Sequence, residues 1–122
     1  MKSTSKDESL IHDVIKLYFT GTYYGNAEEL RQAFHPDARI TGSIQGTIHE
    51  WTLKEFIARV TVKPTSAEKN EKFEKEILSI DITHDAAMVK TRVFAAGYTF
   101  IDYIILLKYN NQWMIRYKSF TT

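Results

Sequence analysis

The sequence predicts an α+β fold, three helices followed by an antiparallel meander, and three observations carry that expectation. Helix start and stop signals stand at nearly every join of the stretch 25–57. Apolar residues recur at three- and four-residue spacings in the first half and at alternate positions in the second. Short turns separate the alternating runs.

Ser5 with Glu8 makes a capping box, and Leu10, Ile11, Val14, Ile15, Leu17 and Tyr18 then mark an amphipathic helix ending near Gly21. Asn26, with Glu29 three residues on, caps a shorter helix whose apolar face is Leu30, Ala33 and Phe34 and which Pro36 ends. Thr52 and Glu55 open the third helix as a capping box, with Trp51 and Phe56 placed to staple its entry. Between the second and third helices, 39–44 and 47–51 alternate around Gly46 as a small hairpin. The stretch 62–72, with Pro64, Ser66 and mixed charges, reads as a loop. Strands follow over 73–83, 86–95, 98–109 and 112–120, joined at His84-Asp85, Ala96-Gly97 and Asn110-Asn111. No repeat, low-complexity tract or second domain shows, so 1–122 is read as one domain.

Composition excludes several classes of function. A net charge of +1 gives no electrostatic reason to expect nucleic acid or an anionic membrane as partner. Zero cysteines rule out disulfides, thiolate metal sites and a cysteine nucleophile. The polar start MKSTSKDESL lacks a secretory h-region, and the longest apolar run, 104–107, is too short to cross a bilayer, so the expected location is cytoplasmic. Serine-nucleophile patterns, phosphate-binding glycine loops and paired-histidine ligand spacings are absent, so neither metal nor cofactor is implied.

Pairing the last hairpin about Asn110-Asn111 without a bulge puts Phe100, Asp102, Ile104, Leu106, Trp113, Ile115, Tyr117 and Ser119 on the core face. Tyr103, Ile105, Leu107, Met114, Arg116 and Lys118 then fall on the other face. Hydrophobic residues on a face the helices do not need, interleaved with Lys90, Arg92 and Arg116, point to a homodimer through the sheet.

Several runs carry a likeness to a known family: Phe34-His35-Pro36-Asp37-Ala38, the Gly46 turn, the start of the third helix, Thr99 to Tyr103, and Trp113 to Lys118. With them the chain resembles the nuclear transport factor 2-like (SnoaL-like) superfamily from about Glu8 to Phe120, and most closely its bacterial "putative lumazine-binding" branch. That resemblance implies a cystatin-like, cone-shaped, curved antiparallel sheet with three N-terminal helices packed on its concave face. It constrains activity little, because the superfamily holds isomerases, dehydratases, cyclases, epoxide hydrolases and members without catalysis. Ketosteroid isomerase-like members carry an aspartate base shortly after the Asp-Ala pair; Thr41-Gly42 hold that place here and cannot do that chemistry.

Asp102 is the sharpest candidate for chemistry, since a carboxylate among Phe100, Ile104 and Trp113 must be paired, hydrogen-bonded or protonated. A structural salt bridge to Arg92, or to Lys118 if a bulge changes the parity, is the competing explanation. His35 beside Asp37 suits a general base, the alternative being a helix-capping role. Tyr18, Phe34, Trp51 and Phe56 are candidate ligand-binding residues, with Tyr98 and Tyr117 as phenol donors, against the alternative of simple core packing. The resemblance implies that Asp102, Tyr117, His35 and Trp51 meet at the wide end of the cone.

Three functions follow. The first is a small-molecule-binding protein holding a small hydrophobic or aromatic ligand in an apolar cone-shaped pocket. The second is a lyase, isomerase or cyclase using Asp102 and His35 as acid and base. The third is a dimerisation or protein-interaction module.

Overall fold

The computed structural model describes residues 3–122, with side chains from Lys6 onward. The order of elements is α1 (Ser3–Tyr24), α2 (Ala27–Ala33), β1 (Phe34–Ile44), β2 (Thr47–Thr52), α3 (Leu53–Val60), β3 (Lys75–Thr83), β4 (Ala86–Ala95), β5 (Tyr98–Tyr109) and β6 (Gln112–Thr121). This is the expected α+β architecture. The six strands form one curved, unclosed sheet in the order β2-β1-β6-β5-β4-β3. Among the described residues only β1 and β6 run parallel, and the intervening helix and hairpins supply the long crossover that such a pair requires.

Helix boundaries follow local chemistry. α1 runs past Gly21 to Tyr24, and Gly25 at φ +65° closes it, with Asn26 N–H donating to the Gly21 carbonyl at 2.9 Å. Gly21 remains inside the helix because Leu30 of α2 packs against it; an added Cβ would stand 2.9 Å from the leucine side chain. α1 begins at Ser3, ahead of the expected Ser5 cap, whose side chain lies outside the described residues. Asn26 caps α2 by accepting from Glu29 N–H, while the Glu29 carboxylate accepts from Thr20 instead of returning to the cap. Thr52 and Glu55 form the complete box at α3, with the Trp51 and Phe56 rings 6.4 Å apart. α2 ends at Ala33, and the backbone extends from Phe34, two residues before the helix end expected at Pro36.

The hairpin turns at Gln45-Gly46, Ala96-Gly97 and Asn110-Asn111 have two residues each at positive φ, the geometry that matches strand twist in two-residue loops. Between Ile105 and Leu106 the β5–β6 register shifts, since Ile105 pairs with Tyr117 but Leu106 with Ile115. Arg116 is the extra residue. The insertion reverses the expected parity, so Tyr117 turns to the outer face and Lys118 enters the core face beside Phe120.

The core lies between the helices and the inner sheet face. It is built from Ile11, Ile15 and Tyr18 of α1, Leu30, Ala33 and Phe34, and Ile40, Val89, Ile104, Leu106 and Ile115 of the strands. Trp113 ties α1 to the sheet by donating from its indole N–H to Asp7 at 3.0 Å, where Lys108 also meets Asp7 at 3.1 Å. Among the described residues no helix is long and apolar enough to cross a membrane.

Candidate functional site

A cavity of about 490 Å³ lies between α1, α3 and the sheet, beside the β4–β5 turn. Trp51 and Phe120 stack across one wall at 5.6 Å with planes 15° apart, and Phe56, Phe100 and Ile44 extend the apolar surface. The loop after α3 closes another side with Val62, Pro64 and Thr65. Tyr23 anchors that loop: its carbonyl accepts from Ala67 N–H, and its hydroxyl donates to the Glu71 carbonyl at 2.6 Å.

Asp102 lies at the base, 1 % exposed. Tyr18 Oη donates to its Oδ2 at 2.6 Å, and Thr91 Oγ1 donates to the same oxygen at 2.9 Å. The strand register makes this arrangement, because Thr91 and Asp102 are direct cross-strand partners. Oδ1 is buried and has no hydrogen-bond partner.

Lys118 is 6 % exposed, and its ammonium nitrogen lies 4.4 Å from the Phe56 ring centre, 4.5 Å from that of Tyr18 and 5.5 Å from that of Phe120. Among the described residues it makes neither a hydrogen bond nor an ion pair. Burial lowers its pKa below the ordinary lysine value, with Asp102 opposing that fall. Lys75, at the start of β3, is pushed down to about 8 by burial and then by Lys118, against the opposing pull of Asp102 and Glu71. Burial, followed by the charge and the hydrogen bond of Asp102, holds the Tyr18 phenol well above 10.0. Arg59 covers the Trp51 ring at 4.4 Å, and Lys69 and His49 complete the polar part of the wall.

Of the residues expected from sequence, Tyr18, Trp51, Phe56, Tyr98 and Asp102 meet at this cavity. Three do not line it. Phe34 packs behind Tyr18, edge to face at 5.9 Å, as buried core. Tyr117 is 46 % exposed on the outer face, a consequence of the Arg116 bulge, and lines a separate depression with Pro36 and Asp37. His35 stands over Tyr109 at 4.5 Å, and its Nδ1 accepts from the Asp37 backbone N–H at 3.0 Å. The expected convergence of His35 and Tyr117 with Asp102 and Trp51 is therefore corrected. The proposed Asp102–Arg92 bridge also fails, since Arg92 points outward to Glu76.

Thr91 and Lys75 were missed. Thr91 was legible, because it continues the inward alternation of Ala87, Val89 and Val93. Lys75 carries no such signal at the head of an edge strand.

A family profile described as "Putative lumazine-binding" matches residues 6–121. No curated protein matches the sequence. Among solved structures, an NTF-2 like protein of unknown function from Silicibacter pomeroyi DSS-3 is similar at a TM-score of 0.82 and 22% identity, covering 97% of each chain. An NTF2-like protein of unknown function from Methylobacillus flagellatus KT gives 0.82 and 25%, over 95% of this chain and 91% of that one. A domain of unknown function with a cystatin-like fold from Nostoc punctiforme PCC 73102 gives 0.72 and 17%, over 98% and 78%. With the sheet, the helices and the profile in agreement, the chain belongs to the "Putative lumazine-binding" family of the nuclear transport factor 2-like superfamily.

Proposed function

We propose that the protein binds a small anionic molecule with an apolar, ring-sized body. The observation that carries this reading is Lys118, a residue 6 % exposed whose amine lies among aromatic rings of the cavity with no hydrogen bond or ion pair among the described residues. A buried cation of this kind is costly until an acceptor reaches it. Arg59, Lys69, Lys75 and Lys118 share the wall with Asp102 as its one carboxylate, so the site favours a negative ligand. The cavity volume suits a molecule of one or two rings. The family's description, which names a small-molecule ligand, accords with this. An acid–base pair of Asp102 and His35 has no support, because His35 stands outside the cavity.

Calorimetric titration of hydrocinnamate against hydrocinnamyl alcohol tests the reading. The carboxylate is expected to bind at least about tenfold more tightly, the worth of one charge-assisted hydrogen bond. Lys118→Met is expected to reduce the difference, and the Lys75→Met, Lys118→Met double variant to reduce it further. Equal affinity of acid and alcohol for the native protein contradicts the reading.

A homodimer through the outer sheet face is the second part of the proposal. Met88, Ile105 and Tyr117 are cross-strand neighbours there, with Tyr103 43 % exposed beside them. A contiguous apolar strip of this kind on a sheet face suits a self-complementary two-fold interface.

A further inference from the structure

We propose that Lys118 is a carbonyl-reactive amine and that the cavity takes an α-oxo acid with an apolar tail, held as an imine at Lys118 Nζ with its carboxylate toward Lys75. This rests on the anion-binding reading above and adds a covalent bond to it.

The geometry supplies what imine formation requires. A purely structural buried lysine is expected to be paired, and the natural partner would be Asp102 on the same face. Instead both hydroxyl donors, Tyr18 and Thr91, end on Asp102 Oδ2, while Oδ1 has no hydrogen-bond partner and the Lys118 amine, ringed by aromatics, makes no hydrogen bond or ion pair among the described residues. Asp102 and Lys118 thus line the same aromatic cavity. The rings of Tyr18, Phe56 and Phe120 surround the amine, and burial favours its neutral, nucleophilic form. Lys75 supplies the second cation that an acid group adjacent to the carbonyl would meet. Phe120 and Trp51 form the wall for the tail.

In the step itself the Lys118 lone pair attacks the keto carbon, and the C=O π pair moves to oxygen. A proton passes from nitrogen to that oxygen by way of Asp102 Oδ1, giving a carbinolamine. The carbinolamine oxygen then takes a second proton from solvent water, the C–O bond breaks as it leaves as water, and the nitrogen lone pair closes the C=N bond as an iminium that keeps its one remaining N–H proton. Release of that proton to solvent gives the neutral imine. Nothing is oxidised or reduced.

The charged and titratable groups facing Lys118 are Asp102 from β5, Tyr18 from α1 and Lys75 from β3. Farther along the wall stand His49, Arg59, Lys69 and Tyr98.

The experiment treats the purified native protein with phenylpyruvate and sodium cyanoborohydride near pH 8, where Lys75 titrates, followed by intact-mass and peptide mapping. The expected result is one reduced adduct on Lys118, formed at least about tenfold faster than on any other lysine and suppressed by excess hydrocinnamate. Lys118→Arg is expected to lose the adduct, and Lys90→Arg, on the outer face, to keep it. If hydrocinnamate binds but Lys118 stays unmodified, or if modification spreads evenly over surface lysines, the covalent inference is overturned while anion binding stands. If neither compound binds, both fall.

Discussion

Tyr18 and Thr91 converge on one oxygen of Asp102, and this pair of hydroxyls makes the carboxylate a fixed part of the core. Tyr18→Phe removes one donor from a buried acceptor, so it is expected to lower stability by about 1.5–3 kcal/mol, as read from denaturant melts. Thr91→Val is expected to cost a similar amount, and the double variant more than the sum, because either donor alone still serves the shared acceptor and losing both leaves it with none. Strict additivity would argue against a common network. Lys75 gives a pH signature. The unfolded chain titrates it near 10.5 and the folded protein at about 8, so between those values the unfolded state holds more protons and stability rises with pH. Lys118, also lowered, acts in the same direction. Tyr18 acts oppositely above 10.0, where the folded phenol keeps a proton that the unfolded chain has lost. Thermal melts are therefore expected to show stability climbing from about pH 8 toward pH 10, with a smaller climb in Lys75→Met. A flat profile in the native protein would contradict the burial of these amines. At this scale the sequence revealed Asp102 through its apolar neighbours, and Trp51 and Phe56 through the helix entry they staple. It offered Lys118 only conditionally, because a lysine near the end of this strand falls on the outer face until one inserted residue turns it inward.

Elements position these side chains, and their local signals vary in strength. Capping residues and positive-φ turns fix most helix and hairpin boundaries through backbone hydrogen bonds to near neighbours, and such signals are legible in a single sequence. The Arg116 bulge has no comparable signature, since it depends on how two distant strands pair. Gly42 is a third case. It lies opposite Phe120 in the parallel β1–β6 pair, and an added Cβ would collide with the Phe120 backbone and ring. Gly42→Ala is expected to cost about 1–3 kcal/mol and, because Phe120 also lines the cavity, to weaken hydrocinnamate binding. An unchanged melting temperature would show that the strand pair can shift freely. At the other end of the sheet, the Trp113 hydrogen bond and then Lys108 hold the Asp7 carboxyl below 3.8. A depressed carboxyl pKa contributes stability at neutral pH that is lost on acidification. Asp7→Asn is therefore expected to lower the neutral-pH melting temperature slightly, with the gap to the native protein closing below pH 3.8.

At the scale of the whole molecule, the helices cover the inner sheet face and leave Met88, Tyr103 and Tyr117 exposed on the outer one. Light scattering at micromolar concentration is expected to give twice the 14.2 kDa chain mass, and Tyr103→Glu with Tyr117→Glu to give the monomer. A monomeric native protein would remove the dimer from the account. The fold was readable because alternation and caps repeat along the entire chain. The site was only partly readable because its two amines come from strands at different positions in the sheet. The central claim, an anion meeting buried amines, is tested most directly by proton uptake on binding. Near pH 8 an incoming carboxylate stabilises the charged forms of Lys75 and Lys118, so hydrocinnamate titrated calorimetrically in buffers of different ionisation enthalpy should bind with net uptake of a fraction of a proton, lost in the Lys75→Met, Lys118→Met double variant. Binding without proton exchange, or undiminished uptake in that variant, would contradict it.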